Sequence, residues 1–248
     1  MPLSRSSPHR ATARPGYAHY GRRRGRKIRS GRQQLLETLL PEVRVPATES
    51  GALDSDKLVE FCGTCPELWV EIGFGQGEHL VAQAERCPNV LLIGCEPYVN
   101  GVSTLLRTIE ANAIGNILIH DDDARILLEA LPEASVDRLF LLFPDPWPKK
   151  RHHKRRFISK PNLDLVTRVL KNGAELRFAT DHPDYARWTL WHALRHEAIE
   201  WPAESPADWT DRPGDWTITR YEEKALADGQ SCTYLSFRRR DRPGSPGV

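Results

Sequence analysis

Five apolar runs recur between residues 68 and 179, and a helical pattern follows each one. No other feature constrains the fold of this chain as strongly. The runs cover residues 68–72, 90–95, 116–120, 138–143 and 174–179. They are too short for helices and too evenly apolar for half-exposed strands, so they read as strands covered on both faces. Helical patterns occupy 78–86, 101–112, 124–131, 163–171 and 183–196, the last with Pro183 at the favoured first position. Strands that alternate with helices join as right-handed βαβ units. The expected class is therefore α/β, a mostly parallel sheet with helices on both faces. Residues 232–237 alternate and read as an edge strand. Residues 33–40 carry leucines at 35, 36, 39 and 40, a short helix stopped by Pro41. Residues 44–66 read as a polar linker, and 198–222 give no clear pattern. The main domain is expected over 67–240, with a tail at 241–248.

In sheets of this kind a ligand sits beyond the carboxyl ends of the strands. Glu71, Gly73, Glu96, Asp123, Asp145 and Asp181 all fall at or just past such ends. Gly73, Gly75 and Gly77 form a G-x-G-x-G turn that lets a ligand approach the backbone closely. A dinucleotide fingerprint would need its third glycine at 78, where the chain has Glu78. Glycines required only for packing would give the same pattern. Glu96 stands where an acid can accept from ribose hydroxyls, and Asp123 where one can accept from an adenine amine. Alone, Asp121, Asp122 and Asp123 would read as a solvated turn or a helix cap. Four acids suit a cationic ligand and repel a pyrophosphate. S-adenosylmethionine fits them, and NAD fits poorly.

Residues 143–156 carry the second half of the argument. Asp145 lies between Pro144 and Pro146, which restrict its loop. Trp147 follows, and then six Lys/Arg and two His fill the eight positions 149–156. A held acid, a flat ring and a dense cationic tract suit an enzyme acting on a nucleic-acid base. The net charge of +2 hides a segregation. Residues 1–32 hold ten Lys/Arg and no acid, while the rest of the chain carries a net charge of −8. Such separation suggests a polyanionic partner. Residues 1–32 read as a disordered basic arm, since their prolines and glycines oppose a transit-type amphipathic helix. Five cysteines without regular spacing make no disulfide framework, and Cys62 and Cys65 read as ordinary thiols. His192 and His196 lack the further ligands of a zinc site. No metal site is expected, nor a membrane span or a secretory signal.

The ordered blocks at 70–77, 93–96, 123–124, 143–149, 154–156, 179–181 and 219–222 resemble the bacterial tRNA (guanine-N7)-methyltransferase family over about residues 20–240. The Phe-Pro-Asp-Pro-Trp and Thr-x-Tyr-Glu blocks are its specific parts. The resemblance implies a Rossmann-like class I methyltransferase fold with a seven-stranded sheet. It implies that Glu71, Gly73, Glu96, Asp123 and Asp145 contact S-adenosylmethionine, with Asp145 also at the catalytic centre. Lys149, Asp181, Thr219, Arg220, Tyr221 and Glu222 would form the substrate side. The substrate would be a guanosine in the variable loop of tRNA. Arg151, Lys154, Arg155 and Arg156, with the arm, would grip the RNA backbone. A cytoplasmic enzyme is expected, as a monomer or homodimer. Two alternatives stand beside this one. One is methylation of an exocyclic amine, although such enzymes carry Asp/Asn-Pro-Pro-aromatic rather than Pro-Asp-Pro-Trp. The other is a non-catalytic RNA-binding module on the same fold.

Overall fold

Apolar runs of five or six residues can satisfy their backbone only by pairing with one another, and they do. The computed structural model describes residues 20–47, 52–64 and 66–244. Three helices lead in: α1 (Ser30–Thr38), α2 (Leu40–Val43) and α3 (Ser55–Thr64). The core then alternates β1 (Glu67–Ile72), α4 (Glu78–Arg86), β2 (Val90–Cys95), α5 (Val99–Asn112), β3 (Ile117–His120), α6 (Ala124–Ala130) and β4 (Val136–Leu142). After a 3₁₀ turn at Lys150–Arg155 come α7 (Lys160–Val169), β5 (Leu170–Thr180), α8 (Pro183–Ala193), β6 (Ile199–Glu200), α9 (Ala207–Thr210), α10 (Arg220–Ala227) and β7 (Thr233–Arg239).

The seven strands form one sheet in the order β3-β2-β1-β4-β5-β7-β6. The first five run parallel, and β7 runs antiparallel to β5 and β6. Strand residues alternate between two buried clusters, as a period of two requires. Val70, Ile72, Leu139 and Leu141 face one layer of helices. Trp69, Leu92, Phe140 and Leu142 face the other. Each such leucine, cut to alanine, would cost about 2–5 kcal/mol. The chain leaves β1 towards β2 on one side and reaches β4 on the other. This reversal opens a crevice at the carboxyl ends of β1 and β4.

Several expectations change in detail. Residues 55–64, assigned to a polar linker, form α3 and seat Leu58 in the core. Residues 232–237, read as an edge strand, belong to β7 from Thr233 onward, and β6 flanks that strand only at Arg238 and Arg239. Pro41 does not stop the helical run, since it sits in the first turn of α2. The outer edge of β3 is partly covered, because Arg44 bridges Ile119 and Val45 N–H donates to Ile119 O at 3.0 Å. Residues 20–29 of the basic arm lie against α5. Gly25 N–H donates to Asn100 Oδ1 at 2.8 Å, and Asn100 Nδ2 donates to Arg26 O at 2.7 Å. Residues 1–19 of the arm, Cys65 and residues 245–248 of the tail lie outside the described residues.

Candidate active site

The crevice widens into a cavity of about 690 Å³, within the range of small-molecule sites. The structure brings Glu71, Gly73, Glu96, Asp123 and Asp145 to its wall. Gly73, Gly75 and Gly77 adopt φ of 76°, 59° and 89°, a region that other residues rarely enter. A Cβ on Gly101, in the first turn of α5, would lie 2.0 Å from Gly75 O, so helix and loop touch backbone to backbone. Glu96 holds the loop. Its two oxygens accept from Gly75 N–H (3.0 Å) and Tyr98 N–H (2.9 Å). Burial raises its carboxyl above the usual range against the pull of these donors.

Asp123 acts first as the cap of α6. Its Oδ1 accepts from Arg125 N–H at 2.9 Å, and the Arg125 guanidinium pairs with the same carboxylate. Glu71 is 3% exposed and bonds His79.

The Asp145 loop is under backbone strain. Phe143 and Trp147, on either side of Pro144-Asp145-Pro146, take φ of 48° and 44°. Two bulky residues in the left-handed region cost about 1–2 kcal/mol each and persist only where the surroundings hold them. Phe143 is held by its N–H on Ala179 O at 2.8 Å. Arg156, 3% exposed, donates from Nε to Pro146 O at 2.8 Å and from Nη2 to Asp184 at 2.6 Å. Asp145 itself has no hydrogen-bond or ion-pair partner among the described residues. Its side chain is exposed, yet desolvation by the protein around it pushes its carboxyl up.

The basic tract divides. Lys149, Arg151 and Lys154 are exposed. Arg155 stacks over Trp147 (4.8 Å) and Tyr20 (5.0 Å). Arg156, expected on the RNA backbone, instead braces the Asp145 loop from inside. On the expected substrate side, Tyr221 and Thr219 line the cavity, whereas Lys149, Asp181, Arg220 and Glu222 do not. Asp181 is half-buried just past β5, and Arg220 is exposed. Thr219 caps α10, its Oγ1 accepting from Glu222 N–H at 3.2 Å. Glu222 is fully buried and accepts from Tyr234 Oη (2.6 Å), Trp216 Nε1 (3.2 Å) and Arg212 Nη1 (3.2 Å). It anchors α10 rather than facing a base. The Thr-x-x-Glu spacing is itself a helix-start signature.

A family model described as "Putative methyltransferase" matches residues 66–235. The tRNA (guanine-N(7)-)-methyltransferase of Rhodospirillum rubrum is 48% identical over 232 residues, covering 92% of this chain and 90% of that protein. The protein of that name from Rhizobium meliloti is 47% identical over 227 residues, covering 92% and 97%. That from Ruegeria pomeroyi is 46% identical over 243 residues, covering 96% and 99%.

The chain belongs to the tRNA (guanine-N7)-methyltransferase family.

Solved structures carry the likeness to the fold alone. A variant of the 16S rRNA (adenine(1408)-N(1))-methyltransferase from Catenulisporales acidiphilia, with its cosubstrate SAM, matches at a TM-score of 0.56. It shares 17% identity and covers 83% of this chain and 98% of its own. The antibiotic-resistance methyltransferase Kmr matches at 0.52 with 19% identity, covering 76% and 94%. The class I methyltransferase architecture is therefore that of this tRNA (guanine-N7)-methyltransferase family member. Among its described residues, no helix is long and apolar enough to cross a membrane, and no cluster of three or more His, Cys, Asp or Glu is placed to hold a metal ion.

The sequence reading missed several wall residues of this family member. Tyr20, Gly21 and Arg22 line the cavity, and Arg23 pairs with Asp122, so the arm closes one side. Tyr98 stands beside Glu96 and meets the arm at Gly25. No periodicity marks such residues, because they lie in coil.

Proposed function

We propose that this chain transfers a methyl group from S-adenosylmethionine to N7 of a guanosine in the variable loop of tRNA. The observation that carries the reading is Asp145, a carboxylate without a partner among the described residues. Proline and strained aromatic neighbours hold it at the rim between an acid-lined cavity and a basic tract. The donor set fits the cofactor. Carboxylates of Glu71, Glu96 and Asp123 and an open glycine turn match a cationic nucleoside, and the cavity volume matches its size. When bound, S-adenosylmethionine supplies an electrophilic methyl group on a cationic sulfur.

Guanine N7 offers a lone pair and carries no proton in the neutral base, so the chain has no proton to remove at the attacking atom. Its task is placement and negative potential. Asp145 can accept from the amine edge of guanine and can stabilise the positive charge that develops on the purine. Glu96 keeps the glycine turn open through Gly75. Tyr221 covers the turn, 3.5 Å from the position of a Cβ on Gly75. Exposed Lys149, Arg151 and Lys154 would bind phosphates, with residues 1–32 as an RNA-binding arm beside the domain at 67–240. A tRNA substrate places the reaction in the cytoplasm.

The deciding experiment is methyl transfer from labelled S-adenosylmethionine to total tRNA, with the modified position mapped. Alkali-labile 7-methylguanosine in the variable loop is expected. A methylated exocyclic amine, or no transfer despite cofactor binding, would overturn the reading.

A further inference from the structure

Glu71 is the least accessible acid of the cavity wall, and a line of polar groups runs behind it. Its Oε2 lies 2.8 Å from His79 Nδ1. His79 Nε2 lies 3.0 Å from Gln83 Nε2, which also donates to the carbonyl of Asp215 at 3.0 Å. The Arg86 guanidinium donates to Gln83 Oε1. These partners set the direction of every bond. Arginine only donates, so Oε1 is the accepting end of the Gln83 amide and Nε2 the donating end. His79 Nε2 therefore accepts, which leaves the proton on Nδ1 to be donated to Glu71. His79 and Gln83 stand four residues apart on one face of α4. The imidazole is held between Phe140 and Trp216, with ring centroids at 4.7 and 5.4 Å. No bond to Oε1 of Glu71 is present among the described residues, and Glu71 lines the cavity.

We propose that His79, oriented by Gln83, is a positioning residue that holds the Glu71 carboxylate on the cavity wall as negative potential for the cationic methyl donor. The proposal rests on the reading that this cavity takes S-adenosylmethionine. A buried carboxylate deprived of its donor loses its fixed orientation, and the negative potential it presents at the wall falls. A sulfonium responds to that loss. The neutral thioether of S-adenosylhomocysteine does not. The ratio of the two affinities thus reports the charge and cancels general damage to the pocket.

The test is calorimetric binding of both nucleosides to the full chain and to three variants. His79→Phe keeps a ring between Phe140 and Trp216 and is expected to lose about tenfold in affinity for S-adenosylmethionine relative to S-adenosylhomocysteine. His79→Asn, whose amide nitrogen can stand in for Nδ1, is expected to restore most of the ratio. Gln83→Met leaves the imidazole without its orienting donor and should fall between them. Equal weakening of both ligands in His79→Phe, or an unchanged ratio, would overturn the proposal. Should the phenylalanine variant not fold, an unchanged ratio in Gln83→Met does the same. A wild-type chain that binds neither nucleoside would overturn the functional reading itself and the proposal with it.

Discussion

Arg156 donates from Nε to the carbonyl of Pro146 at 2.8 Å, so a buried cation holds the loop that presents Asp145. The same guanidinium reaches Asp184 and lies 4.9 Å from the Tyr185 ring centroid. Lysine keeps the charge and loses the fork. Arg156→Lys is therefore expected to cost about 2 kcal/mol of stability, the scale of a hydrogen bond to a charged group. Turnover should fall roughly tenfold as the loop loosens. Urea denaturation beside single-turnover kinetics checks both. A variant that weakens only tRNA binding would restore Arg156 to the phosphate-contact role.

Asp145→Asn removes the negative charge and keeps the shape. Since no described residue pairs with Asp145, the melting temperature should hardly move. Turnover should drop by about 10²–10³, the usual cost of removing one preorganised electrostatic group. Near-normal single-turnover rates with saturating cofactor and tRNA would exclude Asp145 from the chemistry.

Desolvation raises the carboxyls of both Glu96 and Asp145. The acid limb of methyl transfer should accordingly lie above the ordinary carboxylate range. Stability has the opposite sign. A group whose folded value is raised gives its full contribution below the unfolded value and loses it as pH rises through the folded value. Mild acid is thus expected to stop catalysis before these two groups unfold anything. Asp184 behaves the other way. Its hydrogen bond to Arg156 holds it low, and the stability it contributes is lost as pH falls through that lowered value. Parallel pH profiles of turnover and melting temperature would show the separation. A coincident fall would contradict it.

Glu222 joins α10 to β7 and to the loop at Trp216. Glu222→Ala leaves Tyr234 Oη and Trp216 Nε1 without their acceptor in the interior. About 3 kcal/mol or more of stability should be lost, as when one partner of a buried polar pair is removed. An intact melting curve with a raised KM for tRNA would instead place Glu222 on the substrate.

Neutralising Lys149, Lys150, Arg151 and Lys154 together should flatten the salt dependence of tRNA binding. Each lost phosphate contact lowers the slope of log K against log salt by about 0.7 to 0.9. The affinity of S-adenosylmethionine is expected to stay close to that of the parent chain. An unchanged slope would remove the tract from the interface.

What the sequence revealed followed from how each part is held. Strand β2 was legible to the residue, because a strand covered on both faces needs an unbroken apolar run. Glu71, Glu96, Asp123 and Asp145 were legible because topology carries the strand ends to one rim, although Asp181 past β5 lies off the cavity wall. Helix α3 was not legible, since its apolar residues are confined to 58–62 and its flanks are polar. Residues 198–222 were opaque for another reason. Their short elements are held by partners that meet only after folding: β6 by Arg238 and Arg239, α9 through Trp209 against Trp201, and the loop at Trp216 by Glu222. Arg156 was misplaced because nothing in a run of cations distinguishes the one that turns inward. The left-handed Phe143 and Trp147 were hidden likewise, as no residue-type signal announces strain in an aromatic.

Both borders of the sheet are partly sealed, by Arg44 and Val45 beside β3 and by the two-residue β6 outside β7. At Ile119, Arg238 and Arg239 the border backbone is therefore closed to another chain. Strand-to-strand fibre growth would have to start on the short stretch of β7 that β6 leaves open, which shortens the template available in a crowded solution.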